Sequence, residues 1–321
     1  MNSHCVNTRC LLTVLATSVL FGIASYHYVQ SHHKYIYRER RVQERLYTNQ
    51  NVMNKDVINV LDGCYHVYLD VGSNIGVQIR KLYEPEKYPN AKVHSVFNTQ
   101  FGPVNLRKRK VSESICAVGF EPNNHHTKYL KEIEESYNKC NWRVKFFTET
   151  AVSDHNGETQ FYTDEDVQNL EWGGGILPPD VNSIAVGSSK GKNKFPMNVT
   201  LVRLSEFLKN VVGGRKIPNI DSESPPNVVM KIDIEGSEVD VIPDLIFTGG
   251  LQYINSLMVE WHERFQKLNE RRKAETHLKN VIKDLSIFSN NMKGHGGKFD
   301  FSLLNLDDET YYRSRFDLPR C

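Results

Sequence analysis

The sequence predicts an α/β protein built on an open, mostly parallel sheet with helices on both faces. From about residue 60, short β-branched runs alternate with amphipathic stretches, which is the pattern of such sheets. The run at 228–234, VVMKIDI, is apolar enough for a strand buried on both faces. Two β-like pieces near the end, at 299–304 and 310–316, have no long helix between them and predict a closing antiparallel hairpin.

The individual elements follow one another along the chain. Strands are predicted at 66–71, 116–120, 142–147, 228–234 and 257–261. Helices are predicted at 76–83, 125–137 and 265–285. Polar stretches at 85–115 and 212–227 are interpreted as an inserted loop and a surface loop, because both contain prolines that interrupt regular structure.

Composition limits the classes of function. The chain has 321 residues, of which 39% are hydrophobic and 24% charged, as expected for a folded domain. Forty Lys and Arg residues stand against 38 Asp and Glu residues, so the formal net charge is only +2. A nucleic-acid partner held mainly by charge is therefore not predicted.

The N-terminus predicts a membrane segment. Residues 10–29 include no Asp, Glu, Lys or Arg, and about 20 such residues can span a bilayer as a helix. We predict an uncleaved signal-anchor over residues 1–30, a polar stem over 31–58 and a folded domain over 59–321; a cleaved signal peptide is the alternative for the first segment.

The orientation of this single-pass arrangement has opposing indications. Basic residues crowd the stem after residue 33, and the positive-inside rule then places the domain in the cytoplasm. The glycosylation triplet at 198–200 and an even number of domain cysteines favour the lumen of the endoplasmic reticulum or Golgi. We predict the lumenal side and leave the cytoplasmic side open. The four cysteines allow three pairings: Cys64, Cys116, Cys140 and Cys321.

The strongest local motif is the turn at 70–76, DVGSNIG. A strand ends in an acid, and a glycine-bearing turn then enters a helix whose free N–H groups face a ligand. In an open α/β sheet this is the edge at which ligands bind. An acid at this point repels a pyrophosphate and suits a cofactor that carries positive charge. The alternative is an ordinary tight strand-to-helix turn.

A second acid ends the next predicted strand. Glu121 is placed to accept both hydroxyls of a ribose, Pro122 begins the next segment, and Asn123 can cap the helix. The gap from Asp70 exceeds the usual one of about 20 residues, which is why 85–115 is interpreted as an insertion. The basic run at 107–110 within it could contact an acidic substrate, although a solvated loop is favoured.

Two more strand ends carry charged side chains. Lys231, Asp233 and Glu235 alternate onto one face, where buried charges are costly unless they are paired or functional. They are candidates for acid–base chemistry, with a structural ion pair as the alternative. Glu260 and His262 share a face in the same way, and His262 is a candidate base or metal ligand, or a histidine that is merely hydrogen-bonded.

Five motifs occur in one order along the chain, and together they resemble FkbM-type methyltransferases over about residues 65–265. They are LDVGSNIG at 69–76, GFEPN at 119–123, TAVSD at 150–154, KIDIEG at 231–236 and VEWH at 259–262. The resemblance implies a class I, Rossmann-like fold of seven strands with the last antiparallel, and S-adenosylmethionine as cofactor. It also implies methylation of hydroxyl oxygens of sugars or natural products.

The resemblance assigns roles by position. It implies that the 70–76 turn holds the methionine part of the cofactor, Glu121 the ribose, and Ala151 and Val152 the adenine side, with Asp233 beside the sulfonium. The implied cofactor-binding residues are Asp70, Gly72, Ser73, Asn74, Gly76, Glu121, Pro122, Asn123, Ala151, Val152 and Asp233.

For catalysis we predict that the acceptor is a hydroxyl of a glycan or small molecule. Asp233, Glu235 or His262 takes its proton, and Lys231 belongs to the same catalytic group. A divalent ion held by Asp233, Glu235 and His262 remains an open alternative. The stretches at 85–115 and 172–175 depart from compact family members and are interpreted as substrate-side elements.

Two rival functions stay open. A membrane anchor, a stem and a lumenal domain also describe glycosyltransferases, in which Asp233 and Glu235 would bind the metal of a nucleotide sugar. A non-catalytic binding module on the same fold is the other rival. The acidic turn at 70–76 argues against a glycosyltransferase, because the phosphates of a sugar nucleotide require hydrogen-bond donors.

Overall fold

The fold was analysed in a computed structural model of the chain. It describes residues 55–104, 115–163, 174–177, 196–219, 225–262, 268–293, 300–304 and 317–320.

Helices and strands alternate through most of the described chain. The helices are α1 (Lys55–Ile58), α2 (Val77–Tyr83), α3 (Val93–Phe101), α4 (Asn124–Lys139), α5 (Leu204–Phe207), α6 (Glu238–Phe247) and α7 (Asn269–Lys293). The strands are β1 (His66–Val71), β2 (Ile115–Glu121), β3 (Arg143–Thr148), β4 (Thr150–Ser153), β5 (Gly157–Phe161), β6 (Met197–Arg203), β7 (Val228–Ile232), β8 (Ser256–Val259) and β9 (Ser302–Leu304). Short 3-10 turns lie at Pro85–Lys87 and Gly250–Tyr253, and a π-helical turn follows α5 at Leu208–Val212.

Six strands form the main sheet in the order β3-β2-β1-β7-β8-β9, and each neighbouring pair is parallel. Successive β1 side chains enter opposite cores: Leu69 packs with α6 and α7, whereas Tyr68 packs with α2, α3 and α4. The predicted α/β class, with helices on both faces, is therefore confirmed. The strand order reverses at β1, and the carboxyl edge between β1 and β7 is where such sheets bind ligands.

The first of the two pieces of the predicted antiparallel hairpin forms strand β9. It pairs with β8 in parallel, with Ser302 opposite Ser256. The 25 residues of helix α7 carry the chain back along the sheet, so β9 starts from the same edge as β8. The second piece, 310–316, lies outside the described residues, so the hairpin stays a prediction and six strands of the implied seven are described.

A small sheet of three strands, absent from the sequence-based prediction, lies at the carboxyl ends of β2 and β3. Its order is β4-β6-β5, with β6 parallel to β4 and antiparallel to β5. The chain enters it directly from β3 through Glu149, whose φ is 55°. This sharp turn after the third strand brings Ala151 and Val152 to the edge of the main sheet.

The stretch at 85–115 is more than an inserted loop. It contains the 3-10 turn and α3, whose Phe97 and Phe101 are buried. The Phe97 ring lies 5.0 Å from the Tyr68 ring, centroid to centroid. Apolar residues at helical spacing therefore add a layer to the core, and the loop interpretation is wrong for 93–101. The basic run at 107–110 lies outside the described residues.

A disulfide joins Cys64, just before β1, to Cys116 on β2, with a Cα–Cα distance of 5.7 Å. Cys140 is disulfide-bonded as well. The sequence left three pairings open, and the structure selects the one that ties the two adjacent strands together. Buried disulfides of this kind persist in oxidising compartments.

No helix within the described ranges is long and apolar enough to cross a membrane. The segment at 10–29, which carries the membrane prediction, lies outside those ranges. The division into anchor, stem and domain at residues 30 and 58 stays a prediction.

The start of β1 predicts a loss of stability in acid. His66 is buried, and its Nδ1 accepts a hydrogen bond of 3.0 Å from the Asn227 N–H, which requires an unprotonated Nδ1. Burial, with Arg215 nearby, lowers the pKa of His66 to about 4 from 6.5. Between pH 6.5 and pH 4 the unfolded chain binds a proton at His66 that the folded chain does not bind. The free energy of unfolding therefore decreases by about 3 kcal/mol as the pH falls from 6.5 to 4.

Urea unfolding at a series of pH values tests this. His66→Asn is the matched variant, because its Oδ1 can replace Nδ1 as an acceptor but does not titrate. We expect a smaller acid-dependent decrease in the variant, although it loses ring contacts with Tyr65 and Phe101. An equal decrease in both proteins would mean that His66 is not the group responsible.

Candidate active site

The candidate site is a cavity at the carboxyl edge of the main sheet, beside the small sheet. It contains about 880 Å³ of space free of protein atoms, part of it open to solvent. Its walls come from the ends of β1, β2, β7 and β8, from β4 and β5, and from residues 174–176. Of the predicted cofactor-binding residues, the following line it: Gly72, Asn74, Glu121, Pro122, Ala151, Val152 and Asp233.

The turn between β1 and α2 is pressed against the end of β7. Gly72 has a φ of 89°, and a Cβ on it would lie 1.8 Å from the Asp233 carbonyl oxygen. The Asp233 N–H donates a 2.9 Å hydrogen bond to the Val71 carbonyl, which fixes this approach. Glycine is therefore required here both for the backbone angle and for space. Asn74 also takes a left-handed conformation, with a φ of 48°.

Glu121 joins the first two strand ends. Its Oε2 accepts the Asn74 N–H at 2.6 Å, and its Oε1 accepts the Asn123 N–H at 2.8 Å. Burial raises the pKa of Glu121 to about 8, although these two N–H groups oppose the rise. Asn123 caps α4 by accepting the His125 N–H at 3.0 Å, which confirms its predicted capping role.

Asp70 lies beneath the turn rather than on the cavity wall. Within the described residues, neither oxygen of its fully buried carboxylate has a hydrogen-bond partner; the Ser73 hydroxyl donates instead to the Asp70 carbonyl, at 2.9 Å. Burial raises the pKa of Asp70 to about 7, against the opposing charge of Lys231 on the neighbouring strand. Ser73, Gly76 and Asn123 likewise shape the turn and helix starts without lining the cavity.

The β7 end carries the predicted charged face. Lys231 Nζ lies 2.6 Å from Asp233 Oδ2 and 3.7 Å from Glu260 Oε2. Burial alone would raise the pKa of Asp233, but Lys231 and His262 outweigh it and lower that pKa below its usual value. The shared face predicted from alternation is confirmed, and Glu260 on the next strand end belongs to it.

Glu235 and Glu260 have the opposite tendency. Burial raises the pKa of Glu235 well above its ordinary value, and burial together with Asp233 raises the pKa of Glu260 to about 8. Glu235 also has a φ of 54°, a conformation uncommon for a residue with a side chain. Both residues line the cavity.

His262 is buried at the centre of this group, with 4% of its surface exposed. Its Nδ1 lies 3.0 Å from Glu238 Oε1, which also accepts the Ile234 N–H at 3.0 Å. Its Nε2 lies 3.5 Å from Glu235 Oε2, 3.6 Å from Asp233 Oδ1 and 3.8 Å from Glu260 Oε1. Burial lowers the pKa of His262, but the carboxylates of Glu238 and Glu235 outweigh it and raise that pKa well above 6.5.

Sequence reasoning missed several contributors. Glu238 lies two residues after the KIDIEG motif, and its position at the start of α6 gave no sign that it would contact His262, 24 residues away. Phe161 and Ile176 line the cavity and were not predicted to do so. Gly174 and Gly175, from the stretch interpreted as a substrate-side element, line it as well, whereas residues 172 and 173 lie outside the described residues.

An open parallel sheet with a cavity at its switch point is the arrangement of Rossmann-like proteins that bind nucleotide-containing cofactors. The chain belongs to the methyltransferase FkbM domain family, whose sequence model matches residues 70–283. The resemblance drawn from the five motifs is thereby confirmed.

Among solved structures, the chain is similar to methyltransferase FkbM from Methylobacillus flagellatus KT, at 12% identity and a TM-score of 0.26. That match covers 63% of this chain and 32% of the other, so the chain spans about a third of its length. No curated protein sequence matches this chain.

Proposed function

We propose that the protein is an S-adenosylmethionine-dependent methyltransferase that acts on a hydroxyl oxygen of a sugar, a glycan or a small molecule. The observation that carries the proposal is the acidic lining of the cavity, in which Asp233 has a lowered pKa and so keeps its negative charge. Glu121, Asp233, Glu235 and Glu260 line the cavity, and the described wall includes no Lys or Arg. Such a wall favours a cationic donor and disfavours the phosphates of a nucleotide sugar, which supports the methyltransferase over the glycosyltransferase.

The residues present fit the cofactor. Gly72 has no side chain, so the methionine part of the cofactor can lie close to the main chain of the turn. Glu121 offers carboxylate oxygens to the ribose hydroxyls. Ala151, Val152 and Phe161 provide apolar surface for the adenine. Asp70 is fully buried beneath the turn and does not line the cavity.

When bound, S-adenosylmethionine supplies a methyl group on a positively charged sulfur. The chain's own residues align the acceptor, since holding two reactants in line contributes about 7–11 kcal/mol in well-oriented cases. A base of the chain would take the proton that the acceptor hydroxyl gives up on methylation. The predicted proton acceptors are Asp233, Glu235 and His262, and Glu260 lies on the same wall as the first two. Lys231 holds Asp233 in place.

Location in an oxidising lumen, anchored by residues 1–30, belongs to the same proposal. The Cys64–Cys116 disulfide supports it. Asn198 of the glycosylation triplet is exposed on β6, which is compatible with modification in the lumen.

A labelling experiment tests the type of transfer. The full-length chain is incubated with S-adenosylmethionine that has a tritiated methyl group, with methyl hexopyranosiduronic acids as acceptors, because these offer both hydroxyl and carboxyl groups. We expect label in the sugar that resists alkali, because methyl ethers do and methyl esters do not. Asp233→Asn should lose transfer, whereas Glu158→Gln, an exposed acid on β5, should retain it. Label released by alkali as methanol would contradict hydroxyl methylation.

A further inference from the structure

The inference concerns the side chains around His262 Nε2. Asp233, Glu235 and His262 each offer a ligand atom, and these three atoms lie within 4.8 Å of one another. Two ligand atoms that bind one metal ion at right angles lie about 3.0–3.4 Å apart when each bond to the metal is about 2.1–2.4 Å long. The measured distances from Nε2 to the two carboxylates, 3.5 and 3.6 Å, are slightly longer. Small side-chain shifts would close this difference.

The other nitrogen of His262 is held as metal-binding histidines usually are. Glu238 is fully buried, and its Oε1 accepts from Nδ1 at 3.0 Å and from the Ile234 N–H. This pairing holds a proton on Nδ1 and directs Nε2 toward Asp233 and Glu235, where a bound cation would take the place of the Nε2 proton. A carboxylate behind the imidazole is the typical outer partner of a ligating histidine.

A second, independent observation points to a ligand in the cavity that Asp233 and Glu235 line. Ser237, 2% exposed, lines the cavity next to Glu235, and its hydroxyl has no hydrogen-bond partner among the described residues. Buried hydroxyls are normally satisfied, so this one indicates a group that occupies the cavity in the working protein.

The composition of this corner is compatible with a cation. Four acids meet here, where the nearby basic side chains are Lys231 and His262: Asp233, Glu235, Glu238 and Glu260. Carboxylates that are buried together are costly unless cations or protons neutralise them.

We infer that Asp233, Glu235 and His262 form a divalent-cation site in the cavity, with Glu238 as the residue that positions His262. One imidazole and two carboxylates suit an ion of the manganese class better than calcium, which takes oxygen ligands alone. The inference rests on the proposed function for its purpose: the ion would take the acceptor hydroxyl oxygen as a further ligand and ease its deprotonation. Binding of the ion itself requires no methyl donor.

The test is a titration of the full-length chain with Mn²⁺, in which the electron paramagnetic resonance signal of free Mn²⁺ is measured. We expect one bound ion per chain and loss of this binding in His262→Gln. Glu238→Gln keeps every ligand, and we expect its affinity for Mn²⁺ to be about 10- to 100-fold weaker. Glu135→Gln is the control for general acidity, since Glu135 is an exposed acid paired with Lys139 on α4.

A parallel calorimetric titration with S-adenosylmethionine distinguishes failure of the cation site from failure of the proposed function. If the chain binds S-adenosylmethionine but not Mn²⁺, the cation site is overturned and the proposed function stands. If it binds Mn²⁺ but not S-adenosylmethionine, the proposed function fails instead. Equal Mn²⁺ binding by wild type and His262→Gln would also overturn the site. Should His262→Gln be unfolded by circular dichroism, Glu235→Gln replaces it under the same criterion.

Discussion

Replacement of Gly72 by alanine is expected to abolish binding of the methyl donor and to destabilise the domain more than other glycine substitutions. The new Cβ would lie 1.8 Å from the Asp233 carbonyl oxygen, far inside any permitted contact. The turn must therefore withdraw from β7, which breaks the 2.9 Å hydrogen bond from the Asp233 N–H to Val71. We expect a loss of about 3 kcal/mol or more in the free energy of unfolding, from backbone strain and the lost hydrogen bond together.

Gly102 provides a matched control for this substitution. Its φ is 83°, close to that of Gly72, but a Cβ there meets nothing within 4 Å. Gly102→Ala therefore measures a backbone cost without a steric clash, about 1–3 kcal/mol at its ψ of 167°, and should leave ligand binding unchanged. Urea unfolding and calorimetric titration of both variants make the comparison. Equal losses of stability, with binding retained in both, would refute the close approach of the turn to β7.

The second large effect is expected at Glu121. The two oxygens of Glu121 accept the N–H groups of Asn74 and Asn123. Glu121→Gln keeps the size of the side chain but replaces one of these acceptors by an amide NH₂, which then faces an N–H donor. It also removes a carboxylate placed for the ribose hydroxyls. We expect S-adenosylmethionine to bind at least about 100-fold more weakly, which corresponds to about 2.7 kcal/mol. Calorimetric titration of wild type and variant measures the change.

The pH dependence of binding separates the charge of Glu121 from its shape. Without ligand, burial raises its pKa to about 8, so at pH 6 the carboxyl group is mostly protonated. Hydroxyl donors favour the charged form, so binding releases a proton and affinity increases from pH 6 to pH 9. One such group accounts for up to about 100-fold over two pH units. The dependence should be much weaker in Glu121→Gln; an unchanged slope would assign it to another group, such as Asp70.

Much of the site could be predicted because it depends on local rules. Side chains of a strand alternate, so Lys231 and Asp233 had to share a face, and their 2.6 Å contact follows. Glycine in a turn between a strand and a helix indicates an unusual backbone angle, as Gly72 shows. Parallel strands end at one edge, which is why Asp233 and Glu260, distant in sequence, line one cavity.

Features that depend on contacts between distant segments could not be predicted. Nothing near Glu238 indicates its bond to His262, since that contact exists only once β8 lies beside β7. β4 is four residues long and gains its strand pairing from β6, about 50 residues later. α3 was interpreted as a loop because the polar residues around it outweigh the spacing of Phe97 and Phe101. The Cys64–Cys116 pairing likewise follows from the adjacency of β1 and β2.

Binding of S-adenosylmethionine in the acidic cavity is the property on which the proposed function depends. The most direct test is a calorimetric titration of the full-length chain with S-adenosylmethionine and with S-adenosylhomocysteine. We predict one-to-one binding of both, with the cationic donor favoured over the neutral product by the carboxylates of the cavity, and loss of both in Glu121→Gln. A chain that is folded by circular dichroism and binds neither ligand, but binds a nucleotide sugar in the presence of Mn²⁺, would contradict the methyltransferase account.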